Sequence, residues 1–67
     1  MDEGFPERLR RLRERRRISR RALSELCGLS KSAVSRYERA ERIPSLADAA
    51  ILADFFDVSL DYLSGRK

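Results

Sequence analysis

Apolar residues fall at helical spacing almost from the start of the chain. Phe5, Leu9 and Leu12 stand at i, i+4 and i+7, one stripe on a segment otherwise rich in Arg and Glu. Pro6 suits the first turn of a helix, where its missing N–H costs nothing, so a helix is predicted from there to about Arg16. Ser19 is a good N-cap. Ala22, Leu23, Leu26 and Cys27 then repeat the spacing of a second helix, stopped by Gly28 as a left-handed residue. Ser30 reads as the cap of a third helix, Lys31 to about Arg39, with Val34 and Tyr37 facing inward and Ala33 beside them. Residues 40–44 form a loop in which Ile43, preceding Pro44, is extended. Ser45 and Asp48 have the spacing of a capping box. Behind them Leu46, Ala49, Ala50, Leu52, Ala53 and Phe56 make a fourth helix, apolar over a wide arc and ended at Asp57. Ser59 opens a short fifth helix through Leu60, Tyr62 and Leu63, ended by Gly65. No stretch alternates like a strand. The pattern predicts an all-α fold of five short helices in one domain over residues 1–67, with residues 1–4 a frayed tail.

Composition narrows the chemistry. Sixty-seven residues make one small domain, with little room for an enclosed active site. Hydrophobic residues are 42% of the chain, enough for a core. No apolar run approaches the roughly 18 residues of a membrane span, and MDEGFPERLR has no stretch resembling a signal peptide. One Cys and no His remove an internal disulfide, a zinc site and the commonest general base. No cofactor, no metal and no enzymatic activity are expected, and a cytoplasmic location is the default. Asp54 and Asp57 form a carboxylate pair without a pocket to work in. Cys27 lies at the apolar end of its helix and reads as an inert buried thiol. Phe5, Phe55, Phe56 and Tyr62 could stack on single-stranded bases, but their helical spacing reads as core or dimer contact.

Charge then changes the picture. Charged residues are 39% of the chain, and thirteen of the fifteen cations are Arg. Residues 1–39 carry a surplus of +6, whereas residues 40–67 balance to −2. Such asymmetry is the footprint of an anionic partner, and Arg is the cation best suited to phosphate and guanine. Solvated helix faces are the plainer reading of the same charges.

The segment Ser19–Glu38 joins two helices through a tight turn at Gly28, the geometry of a helix-turn-helix. Such a unit projects its second helix, narrow enough for a DNA major groove. Lys31, Ser32, Ser35, Arg36 and Arg39 on that helix are all polar donors, with Glu38 the exception. A helix made for plain solvent usually mixes charge sign.

At this point the chain resembles the phage-repressor type of helix-turn-helix domain (lambda repressor/Cro, XRE-like). The matching pieces run from Leu9-x-x-Leu12-Arg13 through Leu23-x-x-Leu26-x-Gly28-Leu29-Ser30 and Val34-Ser35-Arg36-Tyr37-Glu38 to Val58-Ser59-Leu60-Asp61-Tyr62-Leu63. The resemblance implies a lambda-repressor-like fold with Lys31, Ser32 and Arg36 reaching base edges and Ala33 touching a thymine methyl. It implies phosphate contacts from Arg20, Ser35, Arg39 and Arg42. It also implies a structural ion pair between Arg13 and Glu38. Arg17, Ala40 and Asp57 stand where the family often has Gly, leaving those loop conformations open.

The resulting expectation is a sequence-specific double-stranded DNA-binding transcriptional regulator, a repressor working as a homodimer on a near-palindromic operator. Phe55, Leu60, Tyr62 and Leu63 are the expected dimer contacts. The competing reading is a protein-interaction module, an antitoxin-like partner or adaptor on the same scaffold.

Overall fold

Three of the five helices start on a serine whose hydroxyl does one job. Ser19, Ser45 and Ser59 each turn Oγ back to accept the amide three residues on, from Ala22, Asp48 and Tyr62, at 3.0, 3.1 and 3.0 Å. The computed structural model describes residues 4–65. Its helices are α1 (Phe5–Arg15), α2 (Arg20–Leu26), α3 (Ala33–Glu38), α4 (Leu46–Phe55) and α5 (Leu60–Leu63), and no strand occurs among the described residues. At the head of α1, the amide of Gly4 donates to Glu7 Oε1 at 3.0 Å.

The helices also end alike. The second residue beyond each helix has a positive φ: Arg17 (55°), Gly28 (70°), Ala40 (58°), Asp57 (56°) and Gly65 (83°). At α2, α3 and α4, two backbone bonds close the last turn around that residue, as with Ala40 N to Tyr37 O at 3.1 Å and Glu41 N to Arg36 O at 2.9 Å. Arg17, Ala40 and Asp57 therefore hold the left-handed conformation that glycine would take without strain.

One helix start departs from the sequence reading. The third helix begins at Ala33 rather than Lys31, and Ser30 does not cap it; Ser32 is the N-cap residue and makes no side-chain cap bond. The reason is non-local. Ser24, fully buried on α2, accepts from the Val34 amide at 3.1 Å and donates its own hydroxyl to Arg20 O at 3.0 Å. Lys31 and Ser32 thus occupy a tight turn, with the Ala33 amide on Ser30 O at 3.0 Å.

Leu9 and Leu12 of α1, Leu23 of α2, Val34 and Tyr37 of α3, Leu52 and Phe56 around α4, and Leu63 of α5 meet in one core. The third helix packs on both α1 and α2, and α5 closes against α4 and α1. Tyr37 makes an edge-to-face contact with Phe5 and donates its hydroxyl to Asp48 Oδ2 at 2.6 Å, tying α3 to α4. That bond takes the carboxylate which the capping-box spacing would have turned toward the start of α4. Arg16 lies over the Phe55 and Phe56 rings, and Arg8 over Tyr62.

Candidate nucleic-acid interface

Side chains at Ala33, Val34 and Tyr37 are spaced i, i+1 and i+4 and all enter the core. Ser32, Ser35, Arg36 and Arg39 at i, i+3, i+4 and i+7 occupy the opposite side. Of these, Ser32, Arg36 and Arg39 are exposed and Ser35 half-buried, and Lys31 is exposed in the preceding turn. Arg42 is exposed in the loop that follows. Arg39 Nη1 lies 3.7 Å from Glu41 Oε2.

Glu38, the acid that interrupts this donor surface in sequence, is folded away from it. Arg13 Nε donates to Glu38 Oε2 at 2.6 Å and Arg13 Nη2 to Glu38 Oε1 at 3.0 Å, a two-point fork. The third donor, Arg13 Nη1, holds Ile18 O at 2.9 Å. The side chains are only 10% and 4% exposed. These hydrogen bonds to Glu38 push the Arg13 pKa still higher than its ordinary value. Arg20 stands at the start of α2 with Nη1 3.9 Å from Glu38 Oε1, its side chain half exposed, so one carboxylate orders two cations. What remains on the outer side of α3 is positive, with the Ser32 and Ser35 hydroxyls among the cations.

Two positions from the sequence reading are corrected. Ala33 is 4% exposed, so its methyl packs in the core and is not available to a thymine. Leu63 is fully buried and cannot form part of a dimer surface. Phe55 and Leu60 are half-buried and Tyr62 is exposed. The open apolar surface lies elsewhere: Ile43 is 90% and Leu46 74% exposed. With Phe5, Pro44, Ala49 and Leu60 they line a shallow groove. Ile43 and Leu46 flank Pro44 and Ser45, and their apolar character beside a loop was the available signal. The buried cap Ser24 and the Tyr37–Asp48 bond carried no local signal.

No group of three His, Cys, Asp or Glu that could hold a metal occurs among the described residues, and no described helix is long and apolar enough to cross a membrane. Cys27 is half-buried, and that burial pushes its thiol pKa up.

Comparison with known proteins decides the family. The helix-turn-helix family model matches residues 9–63. The chain belongs to the helix-turn-helix family of phage-repressor type. Within that family it is similar to the HTH-type transcriptional regulator AnsR of Bacillus subtilis, 41% identical over 61 residues, covering 91% of this chain and 53% of AnsR. It is similarly related to the uncharacterized HTH-type regulator YobD of the same organism, 39% identical over 61 residues, covering 91% of this chain and 54% of YobD. The chain thus spans about half the length of these two relatives. Among solved structures it resembles the P22 c2 repressor in complex with synthetic operator 9T, with a TM-score of 0.88 at 31% identity over 97% of this chain and 98% of that one. The restriction-modification controller protein C.AhdI of Aeromonas hydrophila gives a TM-score of 0.80 at 37% identity, over 88% of this chain and 89% of that one. The five-helix fold is that of phage-repressor DNA-binding domains.

Proposed function

We propose that this chain is a sequence-specific DNA-binding transcriptional regulator, a repressor that acts in the cytoplasm by binding and not by catalysis. The observation that carries the reading is the cationic, acid-free surface of Lys31, Ser32 and Arg36, from which Glu38 has been withdrawn by Arg13. Major-groove edges are rich in acceptors, and phosphates ring them. In this reading Lys31, Ser32 and Arg36 meet base edges, while Arg20, Ser35, Arg39 and Arg42 meet the backbone. The similar P22 c2 repressor is seen in complex with a synthetic operator, which supports DNA as the partner.

Two copies then place their third helices in successive major grooves, about 34 Å apart, on a near-palindromic operator. The groove at Ile43, Leu46 and Leu60 is the apolar surface that association would cover. A dimer neutralising about eight phosphates has a log–log dependence of affinity on salt with a slope of about −7. Fluorescence anisotropy on a labelled duplex reads that slope. No duplex binding at low salt, or affinity indifferent to salt, overturns the reading in favour of a protein-interaction module. Leu46→Asp, at an exposed position, should leave the fold intact and give a monomer by sedimentation; an unchanged dimer would reassign the interface.

A further inference from the structure

The chain contains neither asparagine nor glutamine in its 67 residues. Adenine offers the major groove an acceptor, N7, beside a donor, N6. A side chain that meets both must accept and donate together, as a carboxamide does. Guanine instead offers two acceptors, N7 and O6, which suit a guanidinium or an ammonium.

Apart from Glu38 and Glu41, the long side chains around α3 are all of the second kind, and the Glu41 carboxylate lies 3.7 Å from Arg39 Nη1. Lys31 and Arg36 are exposed and donate only, and the same holds for Arg20, Arg39 and Arg42. Glu38 could accept from an exocyclic amine, but both of its oxygens are held by Arg13. Thymine is marked by its methyl, yet Ala33, Val34 and Tyr37, the apolar residues of α3, are buried. The hydroxyls of Ser32 and Ser35 both donate and accept, so each can meet either purine and neither separates adenine from guanine.

We infer, building on the regulator reading above, that direct base readout by this protein is confined to guanine, through Arg36 and Lys31, and that A·T pairs contribute only through the shape of the duplex. Each half-site then carries two discriminating G·C pairs. Arg36 is the sharper reader, because its planar fork spans N7 and O6 while the Lys31 ammonium is a point donor. Lys31 precedes α3 and Arg36 lies a turn inside it, so the two meet different base pairs.

Selection of binding sites from random duplexes with the 67-residue protein tests this, followed by replacement of single purines with their 7-deaza analogues. Two conserved G·C pairs should emerge per half-site. Deazaguanine at either should weaken binding about tenfold or more, and deazaadenine less than about twofold. Arg36→Ala should erase one guanine preference and leave the other. Arg36→Gln should move that position from guanine toward adenine. Both are exposed-site changes and should melt like the parent. A selected site dominated by A·T pairs, with deazaadenine as costly as deazaguanine, overturns guanine-only readout while DNA binding stands. Salt-dependent binding with no motif overturns it together with sequence specificity. Failure to bind any duplex at low salt overturns the regulator reading and this assignment with it.

Discussion

Replacing Glu38 with Ala should be among the most damaging single changes on α3, although it deletes no apolar contact. The carboxylate is 4% exposed and accepts two bonds from Arg13, which is itself 10% exposed and also holds Ile18 O. Removing it leaves a guanidinium out of water, with one donor satisfied and no counter-charge. Breaking a buried pair in this way costs about 3–5 kcal/mol. A domain of this size has a total stability of about 3–10 kcal/mol, so Glu38→Ala should sit near the edge of unfolding at room temperature. Glu38→Gln keeps the shape and one acceptor, and should lose about 1.5–3 kcal/mol, the worth of a charged hydrogen bond. Arg13→Met with Glu38→Leu should recover most of the loss, because apolar side chains of similar volume replace a buried pair at little net cost. The control is the exposed Arg10–Glu14 pair on α1, at 3.1 Å, where Glu14→Ala should cost less than about 0.5 kcal/mol. Urea unfolding followed by circular dichroism measures all four variants. A loss at Glu38→Ala below about 1 kcal/mol would place the pair with ordinary surface ion pairs. So would a loss that disappears in high salt, since a buried pair is poorly screened.

Four further changes probe the supports around the site. Ala40→Gly should stabilise the protein by about 0.5–1 kcal/mol, because relief of the Cβ strain at φ 58° outweighs the extra freedom of glycine in the unfolded chain; a lower urea midpoint would show that strain absent. Ser24→Ala should cost about 1–3 kcal/mol by leaving the buried Val34 amide without an acceptor, whereas Ser32→Ala, which removes no cap bond, should be near neutral; equal melting shifts would contradict the non-local cap. Burial and the bond to Asp48 raise the Tyr37 hydroxyl from 10.0 to about 12. The associated stability is whole below pH 10 and is lost as pH rises through 12, about 3 kcal/mol across the window. Tyr37→Phe should flatten that loss, and an unchanged slope in alkaline urea titrations would assign it to another group.

The sequence is most legible where structure is local. Serine caps at Ser19, Ser45 and Ser59 and the apolar spacing behind them fall where the helices start, because a hydroxyl three residues from its amide needs no tertiary information. The start of α3 is illegible for the opposite reason: its cap comes from Ser24, ten residues upstream on another helix. Ala40 and Arg17 show a different limit. Steric preference disfavours the left-handed region there, but each sits at a helix end whose backbone bonds demand it, as Arg17 N to Glu14 O at 3.0 Å shows. Apolar content could not say which residues the core closes over, so Leu63 goes inside while Ile43 and Leu46 stay out.

The candidate site combines both kinds of information. Residue types alone place cations and serines on α3, but they also place Glu38 there, and nothing local says where its charge goes. The fold answers by passing Glu38 to Arg13 while Ala33, Val34 and Tyr37 fill the core. The proposed binding surface is therefore what remains after the helix has met its own structural needs. The pair that anchors α3 is the one that clears its outer side of negative charge. Under the proposed function, stability and recognition are coupled at this position: a variant that breaks the Arg13–Glu38 fork while keeping the acid would lose anchoring and, at the same stroke, free a carboxylate beside the cationic surface of Lys31 and Arg36.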